Sequence, residues 1–332
     1  LATLEDGEYE EVKAILADPG SYKADTDEKK RLWNALLKGK FIIEKEVDEL
    51  EVLKMRNRVG RFKTDVLTLI IMPTLQCNFR CIYCYESFPN ISMGRDIEEG
   101  VIKWVIEKTR SVQALYVGWF GGEPLLRFDV IERLSKEFNN LAEEREFRYS
   151  AGISTNGYLL DEYKISQLLT LGIRKVQITL DGPPEVHDRR RHLANGRGTF
   201  NKILENLKLL NKLAPQIEIN LRVNFDATNI NDIPRLLDIL PEDLKDQVKI
   251  YFRHVYAHNR SWKDIQCKRL SNPAQWIAKL SNEAVKVKFK LNEKLTPQKG
   301  YCEADFWNYF IIGPDCSVAK IPYKAKGSEV QR

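Results

Sequence analysis

Cys77-Asn78-Phe79-Arg80-Cys81-Ile82-Tyr83-Cys84 lies a few residues beyond the apolar run Val66-Leu67-Thr68-Leu69-Ile70-Ile71-Met72, so three cysteines in a C-x3-C-x2-C spacing leave a strand and enter a loop. With six cysteines in 332 residues, chance would supply this spacing roughly 0.002 times per chain. Three thiolates so spaced wrap one face of an iron–sulfur cube, which ordinarily takes four. The next cysteine along the chain is Cys267, so one iron is left for a ligand that is not protein, and an open metal position is a reactive one. A structural zinc site would need a fourth Cys or His nearby; the nearest histidine is His187, which disfavours zinc.

Around this segment the composition is that of a globular protein. At 43% hydrophobic the chain can bury a sizeable core, and its length suits one large domain with one or two small attachments. The formal charge is +5, from 52 basic and 47 acidic residues spread along the chain, too weak and dispersed to argue for nucleic acid. The longest apolar run, Val66 to Met72, falls far short of the ~20 residues of a membrane span, so no membrane is expected as a partner. The chain begins at Leu1 rather than Met and is read as a fragment of a longer product. Thiolates kept reduced for an oxygen-sensitive cluster point to the cytoplasm.

Working outward, short apolar runs alternate with amphipathic stretches from Asp65 to His254. Expected strands are Asp65 to Met72, Ala114 to Phe120, Phe147 to Thr155, Arg174 to Asp181, Glu218 to Phe225 and Val248 to Arg253, with helical patterns such as Asp96 to Arg110 and Asp129 to Glu144 between them. Six such alternations predict parallel βαβ units. The fold class expected is therefore α/β, a full or partial barrel with its chemistry in the loops at the carboxyl ends of the strands. Each motif falls there: the cysteines after the first strand, Gly121-Gly122-Glu123-Pro124 after the second, Ser154-Thr155-Asn156-Gly157 after the third and Asp181-Gly182 after the fourth.

Cys77, Cys81 and Cys84, with Tyr83 before the last, resemble the signature of radical S-adenosylmethionine (SAM) enzymes. The GGEP segment at 121–124, the STNG segment at 154–157, and Asp181-Gly182 with His187-Asp188-Arg189-Arg190-Arg191 (an HDxxR pattern) resemble the SPASM/twitch subgroup, which modifies peptides and proteins. The resemblance covers roughly Asp65 to Asn224 and implies a partial (β/α)6 TIM-like barrel, a [4Fe-4S] cluster on the three cysteines, SAM on the remaining iron, and radical chemistry carried by the cofactor. It further implies that Gly121, Gly122 and Glu123 receive the SAM amino group, Ser154 and Asn156 the ribose hydroxyls, Arg191 the carboxylate, and Tyr83 the adenine. Asp181 either holds the ribose or shapes its loop, and Asn224 stands where the family often has a SAM contact. Read without the family, Gly-Gly-Glu-Pro and Asn-Gly are ordinary turn signals. Arg189 and Arg190 are expected at the surface. No catalytic proton or electron acceptor is indicated.

Three parts are expected: 1–62, a small helical segment that either resembles the helical half of a winged-helix leader-peptide element or is a lead-in packed on the barrel; 63–265, the barrel; and 266–332, a short SPASM/twitch-like segment. The last departs from the pattern. Cys302 fits its first cysteine, but Cys316 stands for the expected Gly and Ile321 for the expected Cys. Cys302, Cys316 and Cys267 are therefore either auxiliary-cluster ligands, inert thiols, or part of an incomplete domain. The stretch His254 to Trp262, aromatic and basic, is either a substrate contact or a solvated loop. The leading function is maturation of a ribosomally made peptide by hydrogen abstraction, giving a cross-link or thioether, with a flavodoxin- or ferredoxin-type reductant. The rivals are an anaerobic sulfatase maturase forming formylglycine and a non-catalytic peptide-binding protein on the same barrel.

Overall fold

A computed structural model describes residues 8–256, 267–292 and 305–320. The chain divides into two compact units, 1–60 and 61–332. In the first, helices α1 (Glu8–Ala17) and α2 (Asp27–Gly39) precede α3 (Glu49–Arg61). Thr26 caps α2 by accepting from the Lys29 amide at 3.2 Å, and Val12, Ile15, Leu36 and Ile42 form a small core with Tyr22, Leu32 and Trp33 against it. Helix α3 buries no side chain.

The second unit is a parallel sheet with helices in the connections. Its order of elements is β1 (Val66–Ile71), α4 (Arg95–Lys108), β2 (Ala114–Trp119), α5 (Phe128–Glu144), β3 (Arg148–Ser154), α6 (Glu162–Leu168), β4 (Ile173–Thr179), α7 (Pro184–Arg190), α8 (Phe200–Leu213), β5 (Glu218–Phe225), α9 (Ile233–Ile239), α10 (Glu242–Gln247), β6 (Val248–His254), α11 (Pro273–Lys286), β7 (Lys290–Leu291), β8 (Tyr309–Ile312) and β9 (Val318–Ala319). The six expected strands are all present, each within about two residues of its expected bounds. Consecutive strands β1 to β6 are neighbours and parallel, the arrangement that βαβ crossovers produce, in the α/β class expected.

Alternation along β1 and β2 sets the two faces. Leu67, Leu69, Ile71, Leu115, Val117 and Trp119 are buried in the core that the helices cover, while the residues between them are half-buried. In an ordinary doubly covered parallel sheet both faces would be packed. Here the inner face borders open space.

Strand β8 adds to β1 in parallel, Thr68 opposite Tyr309 and Ile71 opposite Ile312, and β9 returns antiparallel on β8. This hairpin covers what would otherwise be the unpaired edge of β1. Cys316, standing where a Gly was expected, occupies the turn with φ +64. That left-handed conformation costs a non-glycine residue about 1–2 kcal/mol and explains why the pattern calls for glycine there. Cys302 and Ile321 lie outside the described residues.

Candidate active site

The cysteine loop is held by two strips of backbone hydrogen bonds. On one side, Gly122 donates to Thr74 O at 3.1 Å and Glu123 to Gln76 O at 2.8 Å. A Cβ on Gly122 would lie 2.1 Å from Gln76 O and one on Gly121, at φ +117, 2.4 Å from Thr74 O. Both glycines are thus required by the close approach of the two loops. On the other side, Arg80 donates to His192 O (2.9 Å), Ile82 to Arg190 O (3.0 Å) and Ala194 to Asn78 O (2.8 Å). This pairing ties the segment after α7 to the cysteines, although more than a hundred residues separate them.

One cavity of about 370 Å³ collects the outcome. Cys77, Cys81, Cys84, Tyr83, Gly121, Gly122, Ser154, Asn156, Arg191 and Asn224 line it, together with Gln177, Arg222, Arg253 and His254 to Tyr256. Of the residues expected to hold the cluster or contact SAM, Glu123 and Asp181 are the two that do not. Both are fully buried and engaged in holding loops. The Glu123 carboxylate accepts from Leu125 N (3.1 Å), Thr155 Oγ1 (2.7 Å) and Asn156 N (2.7 Å), bracing the end of β3 against the loop after β2; burial pushes its pKa up. Asp181 accepts from Asn224 N at 2.9 Å and from the Tyr83 hydroxyl.

Tyr83 is the hub of the site. Its hydroxyl donates to Asp181 and accepts from Arg191 Nη1 at 2.7 Å and Asn224 Nδ2 at 3.0 Å. The cysteine loop and the carboxyl ends of β4, α7 and β5 meet at that one oxygen. Burial raises its pKa well above the usual tyrosine value, so it stays a donor.

Burial likewise raises the three thiols, Cys77 to about 12, Cys84 to about 11, and Cys81 in the same direction despite nearby Arg191. Left alone they are protonated. A cationic metal cluster is what would hold them as thiolates, and binding would release their protons. Phe79 N donates to Cys77 Sγ at 3.4 Å, a contact that suits a thiolate ligand. Asn156 bridges the loops by donating to Asn78 Oδ1 at 2.8 Å.

Arg191 supplies the test of fit. Its guanidinium, over the Phe79 ring at 5.8 Å, has a buried Nε with no hydrogen-bond partner. A buried, unpaired guanidinium nitrogen at the wall of a cavity fits an anion such as the SAM carboxylate. With three thiols and two close-packed glycines beside it, these residues fit a cluster and SAM.

The HDxxR pattern divides its work. His187 Nδ1 accepts from Asp181 N at 3.2 Å, and Asp188 Oδ1 accepts from Thr199 N (2.7 Å) and Phe200 N (2.9 Å) at the start of α8. Arg189 is exposed. Arg190, expected at the surface, is instead buried at 3% exposure, where it pairs with Asp226 at 2.8 Å, donates to Thr228 Oγ1 at 2.9 Å and sits over the Tyr83 ring at 5.4 Å. A charged side chain is buried only when paired, and the partner, 36 positions along the chain, could not be read from local spacing.

Cys267 is buried with Val255 against Ile82 and Tyr83, its pKa pushed up to about 12 by burial and the nearby Asp226. Cys316 is exposed. Of the stretch His254 to Trp262, His254, Val255 and Tyr256 line the cavity and the remainder lies outside the described residues. Gln177, Arg222, Tyr251 and Arg253 were not singled out from the sequence. The available signal was the period-two polar series Asn220, Arg222, Asn224 in a central strand, where an all-apolar run is the rule. No helix among the described residues is long and apolar enough to cross a membrane.

Comparison with known proteins gives the family. The chain is 28% identical over 205 residues to Fe-coproporphyrin III synthase of Methanosarcina barkeri, covering 61% of this chain and 48% of that protein. It is 32% identical over 179 residues to a cysteine-type anaerobic sulfatase-maturating enzyme of Clostridium novyi, covering 49% and 45%. The chain thus spans about half the length of these curated relatives. The structure of anSMEcpe with bound AdoMet and the Cp18Cys peptide shares the fold, with TM-score 0.59 and 19% identity over 77% of this chain and 74% of that one. Residues 71–240, about half of the chain and all of β2 to β5, match the profile of the Radical SAM superfamily, and the protein belongs to that superfamily.

Proposed function

We propose that the protein reductively cleaves SAM and abstracts a hydrogen atom from a peptide, as a maturase of ribosomally made peptides that leaves a cross-link or thioether. The observation that carries this reading is the convergence on one cavity of Cys77, Cys81, Cys84 and Arg191, whose Nε has no partner. In the reading, the cysteines hold a [4Fe-4S] cluster, Arg191 pairs with the SAM carboxylate, Gly121 and Gly122 admit its amino group, Ser154 and Asn156 face its ribose, and Asn224 is a further SAM contact. The loaded cofactor pair supplies the radical; the protein's residues position the substrate and exclude water. An external flavodoxin or ferredoxin supplies the electron, and the setting is cytoplasmic.

The peptide assignment is supported by the peptide-bound anSMEcpe fold relative and by the sulfatase-maturating relative. Helix α3 adds a recognition surface for a precursor, because it exposes Leu50, Leu53, Met55 and Val59. Anaerobically reconstituted protein given dithionite and SAM is expected to release 5′-deoxyadenosine; cluster-loaded protein that releases none is a binding protein instead. Mass analysis then separates the chemistries: formylglycine in a sulfatase-derived peptide would replace the cross-link reading.

A further inference from the structure

Strands β5 and β6 run parallel with Arg222 opposite Tyr251 and Asn224 opposite Arg253. Arg222 and Arg253 are therefore diagonal neighbours, and both line the cavity that holds the three cysteines. Arg222 is held in place: its Nε donates to Asn224 Oδ1 at 2.7 Å, and the hydroxyl of its register partner Tyr251 donates to Gln177 Oε1 at 2.5 Å. Two positions on, Arg253 is exposed to the cavity. Among the described residues neither forms an ion pair, whereas Arg127, Arg133, Arg190 and Arg235 each do.

The charge balance of the cavity makes this informative. Glu86 is the one carboxylate among its lining residues, and its buried Oε1 has no partner. SAM brings a sulfonium and an ammonium but a single carboxylate, which Arg191 suffices to hold. A cluster on three thiolates is a net anion that offsets SAM's net positive charge, and Glu86 offsets Arg191; Arg222 and Arg253 are left without a counter-charge, which calls for a further anion. A second cavity of about 410 Å³ shares Phe120, Ser154 and Gln177 with the first and is lined by Gly118 and Gly152, which are register partners on β2 and β3.

We propose that Arg222 and Arg253 form a carboxylate-recognising wall, and that the peptide substrate presents an acidic side chain or its C-terminal carboxylate to it. Guanidinium suits this recognition because its planar donors match a carboxylate bidentately. The proposal rests on the peptide-maturase reading and adds the substrate class.

The test is affinity selection of synthetic random hexapeptides on cluster- and SAM-loaded protein, with pools that contrast Glu against Gln and free against amidated C-termini. Wild type is expected to favour the acid over its amide isostere about tenfold, as charge-assisted hydrogen bonds imply; the pool that shows the preference identifies its source. Arg253→Gln and Arg222→Gln, with circular dichroism as the fold check, are expected to bring the preference within about twofold, and Arg253→Glu to turn it toward Lys-containing peptides. Equal selection of acid and amide by wild type, selection of no peptide, or a preference that survives both Gln variants overturns the proposal. 5′-Deoxyadenosine release reads the underlying activity separately, so its absence counts against the maturase reading and its presence without acid preference counts against this wall alone.

Discussion

Tyr83, at residue scale, does more than a residue of the cysteine motif needs to. Its hydroxyl satisfies Asp181, Arg191 and Asn224 together, so Tyr83→Phe leaves three buried polar groups a partner short. Loss of one shared partner among buried charged groups costs about 1–3 kcal/mol. The expected result is SAM affinity about tenfold weaker by calorimetry on reconstituted protein, with unchanged affinity counting against the hub. His187 makes a second prediction. Thr199 Oγ1 donates to Arg191 O at 2.7 Å, so its contact with His187 Nε2 at 3.1 Å must be donated by the ring, while Nδ1 accepts from Asp181 N. The ring is therefore the neutral Nε2–H tautomer. Burial first, then Arg191 and Arg190, pull its pKa well below the ordinary 6.5. Below pH 6.5 the unfolded chain takes a proton that the folded ring refuses. The stabilising contribution of this histidine is thus complete above that pH and shrinks as pH falls toward the depressed value. Imidazole NMR at pH 6 should show a neutral His187; an imidazolium there would refute the assignment.

At the scale of elements, two glycines that look alike in the sequence have opposite consequences. Gly100 lies inside α4, and a Cβ there meets nothing within 4 Å. Gly100→Ala should therefore stabilise the protein by about 0.5–1 kcal/mol, read as a higher urea midpoint. Gly122→Ala places a Cβ 2.1 Å from Gln76 O, backbone against backbone, so the cysteine loop must move. Iron content after reconstitution is expected to fall several-fold, and full iron loading in that variant would show that the loop tolerates the shift. The contrast arises because one glycine faces solvent on a helix and the other lies where two strand-end loops touch.

For the whole molecule, every residue lining the cavity belongs to the unit 61–332, which has its own extensive core. Deleting residues 1–60 is expected to leave cluster absorbance and SAM binding in place while weakening capture of a precursor peptide. A truncated chain that takes up no iron would show that the first unit is needed for the barrel to form. The C-terminal hairpin behaves differently from an appendage, since β8 extends the main sheet at β1. It is part of the barrel's edge.

Six strands, their parallel order and the cysteine loop were readable in the sequence because hydrophobic period and short-range spacing are local properties, and the strands Val66–Ile71 to Val248–His254 follow them closely. Gly121, Gly122, Ser154, Asn156 and Asn224 come together at one cavity because each lies at a strand end, while Arg191 reaches it from the end of α7. Three things were decided by the tertiary structure alone. Arg190 is buried because Asp226 and Thr228 come to it across the loops; Glu123 turns away from the cavity because Thr155 and Asn156 claim its carboxylate; and Arg222 and Arg253 become neighbours through a strand register. Local sequence sets which way a side chain leaves its strand, but which charge it meets depends on contacts between segments tens of residues apart, and only the folded chain brings those together.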